Sequence, residues 1–176
     1  MDNKHAVLKQ YFGHDTFRSG QEDIVDCLLS GRDALCIMPT GAGKSVCYQV
    51  PALLLDGITI VVSPLISLMK DQVNALNLSG VPAAFLNSSL SEVQYKKVID
   101  LAVRGQYKIL CVAPERLVTK SFLYLCRNVK ISMVAIDEAH CVSQWGQDFR
   151  PAYMKINEFI RLLPVRTIVG AFTATA

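Results

Sequence analysis

The fold is decided by the stretch ALCIMPTGAGKS, which runs from Ala34 to Ser45. Its first five residues are apolar and predict a buried strand, while Gly41 and Gly43 allow the backbone to turn with its N–H groups pointing inward. The helix expected from Lys44 presents its N-terminus, which carries a partial positive charge, to the same turn. This order of strand, glycine-rich turn and helix is typical of a loop that binds phosphate groups.

Two side chains of this loop suit a nucleoside triphosphate and its metal ion. Lys44 can reach the β and γ phosphates, and the Ser45 hydroxyl can ligate magnesium. The common G-x-x-x-x-G-K-[ST] pattern has a glycine where this chain has Met38, but that glycine is not among those closest to the phosphates. We therefore expect the nucleotide to be bound by Thr40, Gly41, Ala42, Gly43, Lys44 and Ser45.

An acidic pair follows a second apolar run, Met133–Ile136. Asp137 is expected to hold magnesium, and Glu138 to orient and deprotonate the water that attacks the γ phosphate. A surface turn is the alternative, but a position three strand–helix units after the loop favours a catalytic role. A zinc hydrolase is disfavoured because the H-E-x-x-H pair is missing. The loop and the acids together predict nucleoside triphosphate hydrolysis, with one metal-bound triphosphate gripped from neighbouring strands.

Composition restricts the class of protein. The 176 residues fit one domain, and 51% apolar with only 19% charged residues suits a sheet covered by helices on both faces. A net charge of +3 permits binding to a polyanion without requiring it. The six cysteines show no C-x-x-C spacing, so we expect buried reduced thiols rather than zinc or disulfides. Without a signal peptide or a long apolar run, the chain is expected to be soluble, intracellular and not bound to a membrane.

Short apolar runs alternate with helical periods along the chain. The expected strands are Ala34–Met38, Ile58–Ser63, Ala83–Leu86, Lys108–Val112, Ser132–Asp137 and Thr167–Phe172. The expected helices are Lys4–Phe12, Gln21–Leu29, Lys44–Leu55, Leu65–Leu76, Ser91–Val103, Thr119–Arg127 and Tyr153–Leu163. This alternation predicts an α/β fold with a mainly parallel sheet and helices on both faces. Both motifs then lie at carboxyl ends of strands, where open α/β sheets bind ligands.

Six motifs occur in one order along the chain and carry a family resemblance. They are Phe17-Arg18-x-x-Gln21, Met38–Ser45, Ser63–Gln72, Ala113–Leu117, Asp137–Cys141 and Ser143–Gly146. In these motifs and their spacing, the chain resembles RecQ DNA helicases from about Tyr11 to Ala176. The resemblance implies a RecA-like P-loop NTPase domain, the first of two in a superfamily 2 helicase that uses ATP and Mg²⁺ to unwind DNA in the 3′ to 5′ direction. It also implies a role in DNA repair and recombination.

The resemblance assigns further residues to the nucleotide and to DNA. Arg18 and Gln21 match residues that contact adenine, with a solvated helix start as the alternative. His14 stands where many members carry a stacking aromatic residue, so adenine selectivity is open here. Ser63–Leu65 and Glu115–Leu117 match segments of the DNA-facing surface, for which an ordinary strand end and helix start are the alternatives.

The segment Cys141–Tyr153 resembles the aromatic-rich loop of the same family. Trp145, Phe149, Arg150 and Tyr153 are expected to contact single-stranded DNA and to report its presence to the catalytic site, because aromatic rings stack on bases and arginine binds phosphate. Core packing is the more ordinary use of such rings and is the alternative.

The resemblance also concerns coupling between nucleotide and motion. His140, Thr173 and Thr175 match residues that link the nucleotide state to movement between domains, and a plain helix start is the alternative for His140. Gln147 stands where relatives often carry histidine, so coupling can differ in this protein.

Two other functions stay open. The D-E-A-H letters also suit an RNA helicase, against which Ser143–Gly146 argue, and a regulatory module could bind nucleotide without being a motor. Residues 1–176 are expected to be the N-terminal ATP-binding domain of a longer helicase, since they offer no second RecA-like lobe. We expect weak or absent hydrolysis by the isolated chain. The intact protein is expected to act on single-stranded DNA and duplex junctions, at the nucleoid in the bacterial cytoplasm or in a eukaryotic nucleus.

Overall fold

A computed structural model describes residues 3–142 and 150–175. The helices in these residues are α1 Asn3–Phe12, α2 Gln21–Leu29, α3 Lys44–Leu54, α4 Ile66–Leu78, α5 Glu92–Val103, α6 Lys120–Asn128 and α7 Met154–Leu162. The strands are β1 Ala34–Ile37, β2 Ile58–Val62, β3 Ala83–Leu86, β4 Ile109–Val112, β5 Ile131–Ile136 and β6 Ile168–Thr173. Short 3₁₀ turns occupy Pro114–Arg116, Ala139–Val142 and Pro151–Tyr153. Every predicted helix and strand is present, and their ends differ by no more than two residues.

The strands form one parallel sheet in the order β1-β6-β5-β2-β4-β3. Helices α3 and α4 pack on one face, where Cys47 and Met69 enter the core. Helices α5, α6 and α7 pack on the other face through Ile99, Phe122 and Phe159. The chain changes face when the strand order reverses, as right-handed crossovers require. The prediction of an α/β fold with a mainly parallel sheet and helices on both faces is confirmed.

One expectation about the sheet is wrong. The strands that precede the phosphate loop and the acidic pair, β1 and β5, are not neighbours, because β6 pairs with both of them. Strand β6 is the last strand in the chain, follows α7, and lies between β1 and β5. Strand order depends on packing across the whole sheet, which a local apolar pattern does not encode. Because all strands are parallel, the loop and the acids nevertheless lie on the same edge.

The acidic half of the site follows a strand in the buried centre of the sheet. Every residue of β2 and β5 is buried, as expected for central strands of a parallel sheet. Strand β5 leads directly into the acidic pair, and the Asp137 N–H is bonded to the last residue of β2. Among the described residues, no helix combines the length and the apolarity that a membrane span requires.

Candidate nucleotide-binding site

The phosphate loop begins where β1 ends. The Met38 N–H donates to the Thr173 carbonyl at 3.0 Å, so β6 still holds the chain as it leaves the sheet. The Lys44 ammonium donates to the Met38 carbonyl at 3.4 Å, which folds its side chain back across the loop. This long bond is readily exchanged for a charged phosphate.

The turn of the loop depends on two glycines. Gly41 and Gly43 both have a φ of +82°, a conformation that residues with a Cβ atom disfavour. Between them, the Ala42 N–H donates to the Pro39 carbonyl at 3.1 Å. Helix α3 then starts at Lys44. The turn and the N-terminus of α3 therefore meet at one point, which is the arrangement that binds phosphate.

The residues predicted to contact adenine are bonded to this loop. The Gln21 amide nitrogen donates to the carbonyls of Ala42 at 3.2 Å and Gly43 at 3.1 Å, and its oxygen accepts from the Arg18 N–H at 2.8 Å. The Arg18 guanidinium donates to the Gly41 carbonyl at 2.9 Å. Both ends of the Gln21 amide are occupied, so a bidentate bond to adenine requires an exchange of partners. The adenine contact stays a prediction.

The acidic pair extends from the end of β5. The Asp137 N–H donates to the Val62 carbonyl at 2.8 Å, and one Asp137 carboxylate oxygen accepts from the Glu138 N–H at 2.9 Å. Burial is the main cause that raises the pKa of Asp137, and the Glu138 charge adds to it. The bond from the Glu138 N–H and the charges of Lys44 and His140 oppose this rise. Asp137 is therefore a desolvated carboxylate for which a cation is a favourable partner.

One cavity of about 550 Å³ brings the two motifs together. The predicted residues that line it are Arg18, Gln21, Thr40, Gly41, Gly43, Lys44, Ser45, Asp137 and Glu138. His14, which stands at the position of a stacking aromatic residue, lines it as well. Although β6 separates their strands, the lysine and the acids face the same space.

The predicted coupling residues lie next to the acidic pair. His140 Nδ1 is 3.3 Å from a Glu138 carboxylate oxygen and 3.0 Å from the Thr173 hydroxyl. The Thr173 hydroxyl donates to the Thr175 carbonyl at 2.8 Å. The structure therefore brings these residues together at the acidic end of β5, while their part in motion stays a prediction.

Comparison with known proteins places this geometry in a family. The profile described as DEAD/DEAH box helicase matches residues 18–176. The chain belongs to the DEAD/DEAH box helicase family. It is 51% identical over 171 residues to the ATP-dependent DNA helicase RecQ of Haemophilus influenzae and 47% identical over 172 residues to that of Bacillus subtilis. Each match covers 97% of this chain, which spans only 28% and 29% of the length of these relatives.

Solved helicase structures share the fold. The DUF1998 helicase MrfA is similar with a TM-score of 0.77 and 19% identity, over 99% of this chain and 29% of that one. A hypothetical ATP-dependent RNA helicase from Sulfolobus tokodaii is similar with a TM-score of 0.73 and 23% identity, over 99% of this chain and 51% of that one. At such low identity these structures support the RecA-like fold and nothing finer.

This helicase domain has cavity residues that the sequence analysis did not assign. They include Thr16 before α2, and Leu68 and Gln72 on α4. Leu68 and Gln72 are four residues apart and so share one face of the helix. Leu68 is a large apolar residue that is 46% exposed. The signal that could have found Leu68 and Gln72 is their helical spacing within the motif Ser63–Gln72.

The assignment of Tyr153 to DNA stacking is wrong. Its side chain is only 1% exposed and belongs to the core that includes Phe159, because the turn Pro151–Tyr153 directs the ring inward. Arg150 is exposed, as a DNA contact requires. The other two aromatic residues of that prediction, Trp145 and Phe149, lie outside the described residues.

Proposed function

We propose that this chain is the first, ATP-binding lobe of a RecQ-type DNA helicase and part of a longer protein. The observation that carries the proposal is the cavity in which Lys44 and Ser45 face Asp137 and Glu138. Similarity to relatives named ATP-dependent DNA helicase RecQ supports it. ATP hydrolysis in this cavity then drives unwinding in the 3′ to 5′ direction during DNA repair and recombination, at the bacterial nucleoid or in a nucleus.

The phosphates of ATP are proposed to bind across the glycine-rich loop. The N–H groups of the loop and the N-terminus of α3 provide donors and a positive potential. Lys44 exchanges the Met38 carbonyl for the β and γ phosphates. Arg18, Gln21 and His14 also line the cavity and are proposed to contact the base.

Ser45 and Asp137 are proposed to hold magnesium. A hydroxyl and a carboxylate are hard oxygen ligands of the kind that Mg²⁺ prefers, and both line the cavity. In residues 3–142 and 150–175, no three His, Cys, Asp or Glu side chains converge on one point. This suits an ion that takes its remaining ligands from phosphate and water. Bound magnesium neutralises the charge that develops on the phosphates.

Glu138 is proposed to orient and deprotonate the attacking water. Its φ of +49° is the only positive value among the described residues other than glycine, so the backbone at this position is unlike that of the strand before it. His140 Nδ1, at 3.3 Å, holds the carboxylate in place. One acid can therefore serve the metal while the other serves the water that attacks the γ phosphate in line.

DNA is proposed to lie along the same edge of the sheet. Arg150 is exposed there. The Arg116 Nε is buried and has no hydrogen-bond partner in the described part of the chain, and its guanidinium lies 5.3 Å from the Tyr95 ring. Arg116 as a whole is partly exposed, so the outer part of its guanidinium is proposed to bind a backbone phosphate. Ser63, Pro64 and Leu117 are buried. Within the two segments assigned to DNA, the contact therefore falls to Leu65 and Arg116, which are partly exposed, and to Glu115, which is exposed.

A second RecA-like lobe of the same protein is proposed to complete the site. In the RecQ family such a lobe supplies arginine to the far side of the triphosphate, and arginine fingers in other enzymes accelerate turnover about 10³–10⁵-fold. We therefore expect the isolated chain to bind ATP weakly and to hydrolyse it little or not at all.

The test is ATP hydrolysis by the intact protein with single-stranded DNA, with single-stranded RNA and without nucleic acid. DNA should raise kcat, RNA should not, and Lys44→Ala should abolish turnover. Lys130→Ala, an exposed lysine before β5 at the opposite edge, is the matched control and should behave as wild type. Stimulation by RNA alone would indicate an RNA helicase, and no hydrolysis under any condition would indicate a regulatory module.

A further inference from the structure

A closed ring of hydrogen bonds ties both catalytic acids to Arg150 and Tyr153. The Tyr153 hydroxyl donates to the Asp137 carbonyl at 2.8 Å, and the Cys141 N–H donates to the Glu138 carbonyl at 2.9 Å. The Arg150 N–H donates to the Cys141 carbonyl at 3.1 Å, and the Tyr153 N–H donates to the Arg150 carbonyl at 2.9 Å. The ring therefore leaves the acids through Cys141 and returns to them through the tyrosine hydroxyl.

We propose that the Tyr153 hydroxyl is a positioning group that transmits DNA binding at Arg150 to Asp137 and Glu138. Tyr153 is absent from the residues that line the nucleotide cavity, so it acts through its neighbours and not on the substrate. The inference rests on the proposed function, because it requires DNA to contact Arg150.

The Asp137 carbonyl depends on this tyrosine. Strand β5 ends at Ile136, and the last bond toward β2 is made by the Asp137 N–H to the Val62 carbonyl. The Asp137 carbonyl therefore lies beyond the hydrogen bonds that join β5 to β2. The Tyr153 hydroxyl supplies its donor from a side chain that is 1% exposed. A buried hydroxyl without a partner is costly, so each of the two groups satisfies the other.

The hydrogen-bonded ring joins one buried residue to one exposed residue. The Tyr153 ring is packed in the core with Phe159, whereas Arg150 is exposed. The backbone of Arg150 is bonded on both sides, through its N–H to Cys141 and through its carbonyl to Tyr153. A displacement of Arg150 by a DNA phosphate therefore acts on both connections to the acids together.

The conformation at Glu138 makes the acids responsive to such a displacement. A non-glycine residue at a φ of +49° persists only when its surroundings hold it there. The hydrogen-bonded ring holds the carbonyl of each of the two peptide units that flank Glu138, those of Asp137 and of Glu138 itself. A small change in the ring therefore changes the direction of the Glu138 carboxylate.

The experiment compares Tyr153→Phe with wild type in the intact protein. Phenylalanine keeps the ring in the core and removes only the hydroxyl. The ratio of DNA-stimulated to basal kcat should fall about fivefold, the rate change that corresponds to one neutral hydrogen bond. The KM for ATP and the DNA concentration at half stimulation should stay at wild-type values. Tyr107→Phe, before β4 at the opposite edge of the sheet, is the matched control and should leave the ratio unchanged.

A double-mutant cycle separates transmission from simple stabilisation. If the hydroxyl transmits a signal that starts at Arg150, Tyr153→Phe should change the ratio no further in an Arg150→Ala background. A Tyr153→Phe variant that melts at a lower temperature but keeps the wild-type ratio would overturn the inference, as would additive effects in the cycle. A wild-type protein that DNA does not stimulate would overturn the proposed function, and this inference with it.

Discussion

The imidazole Nδ1 of His140 lies 3.0 Å from the hydroxyl oxygen of Thr173 at the end of β6. The Thr173 hydroxyl gives its one hydrogen to the Thr175 carbonyl at 2.8 Å, so it can only accept from His140. Nδ1 therefore donates to Thr173, and it also lies 3.3 Å from a Glu138 carboxylate oxygen. One imidazole joins the residue proposed to activate water to the end of the strand between β1 and β5.

Removal of the Thr173 hydroxyl should uncouple hydrolysis from motion. Thr173→Val keeps the volume of this buried side chain and removes the hydroxyl that accepts from Nδ1 of His140. In the intact protein we expect unchanged ATP affinity and about two- to fivefold fewer base pairs unwound per ATP, the scale of one neutral hydrogen bond. The measurement is unwinding and phosphate release in the same reaction.

Thr59→Val is the control for this variant. Thr59 is fully buried in β2, and its hydroxyl has no hydrogen-bond partner within the described residues. Its removal should leave unwinding per ATP unchanged and raise the free energy of unfolding by about 1 kcal/mol, because a buried unsatisfied hydroxyl is lost. Equal loss of coupling in both variants would show that the effect at Thr173 is not specific.

Glu138→Gln should separate binding of ATP from its hydrolysis. The amide keeps the size of the side chain and can still accept from His140, but it is not a base. We expect near-normal ATP affinity and turnover lowered about 10²–10⁴-fold, the range for loss of a general base. Equilibrium binding of a fluorescent ATP analogue and single-turnover hydrolysis measure the two quantities. Near-normal hydrolysis would reject Glu138 as the base.

The two loop glycines should differ in their tolerance of a methyl group. Both have a φ of +82°, which costs a residue with a Cβ atom about 1 kcal/mol or more. A Cβ atom at Gly41 meets nothing within 4 Å, but at Gly43 it would lie 2.5 Å from the Gln21 amide nitrogen. Gly43→Ala should therefore destabilise the domain more than Gly41→Ala in urea unfolding.

A second variant isolates the steric part of this effect. Combining Gly43→Ala with Gln21→Ala removes the colliding amide while keeping the backbone strain. The loss of stability caused by Gly43→Ala should become smaller in the Gln21→Ala background, and should equal the loss caused by Gly41→Ala. An equal loss with and without Gln21 would mean that the amide moves aside without cost.

The helices and strands of this fold could be predicted because the spacing of apolar residues and the positions of glycines are local properties of the sequence. The phosphate loop and the acidic pair each follow a short apolar run, and the strands that precede them were found within one residue of their ends. The position of β6 between β1 and β5 could not be predicted, since it depends on which strands pack together at long range.

The same limit applies to individual side chains of the site. An aromatic residue beside a catalytic motif suggests stacking, yet Tyr153 is buried, because it ends the turn Pro151–Tyr153 with its ring in the core. Gln21 was expected to face adenine, and its bonds to the phosphate loop join residues more than twenty positions apart. The bond of His140 to Thr173 spans 33 positions. Sequence spacing identified the participants, and only the folded chain shows their partners.

Asp137→Asn should raise stability at neutral pH while it removes magnesium-dependent binding. Burial raises the pKa of Asp137, so the folded state binds this proton more tightly than the unfolded state does. The ionised carboxylate therefore costs stability once the pH rises through the raised pKa, and it costs nothing below the ordinary value of 3.8. Asparagine is neutral at every pH and can still accept from the Glu138 N–H.

The measurement is the urea midpoint of variant and wild type across this pH range. The variant should unfold at a higher urea concentration at neutral pH, and the difference should vanish as the pH falls toward the ordinary pKa of an aspartate. Asp56→Asn, which alters a carboxylate that is 92% exposed, should show no such gain because its charge is already solvated. A variant at position 137 that is less stable at neutral pH would mean that Lys44 and His140 outweigh the cost of burial.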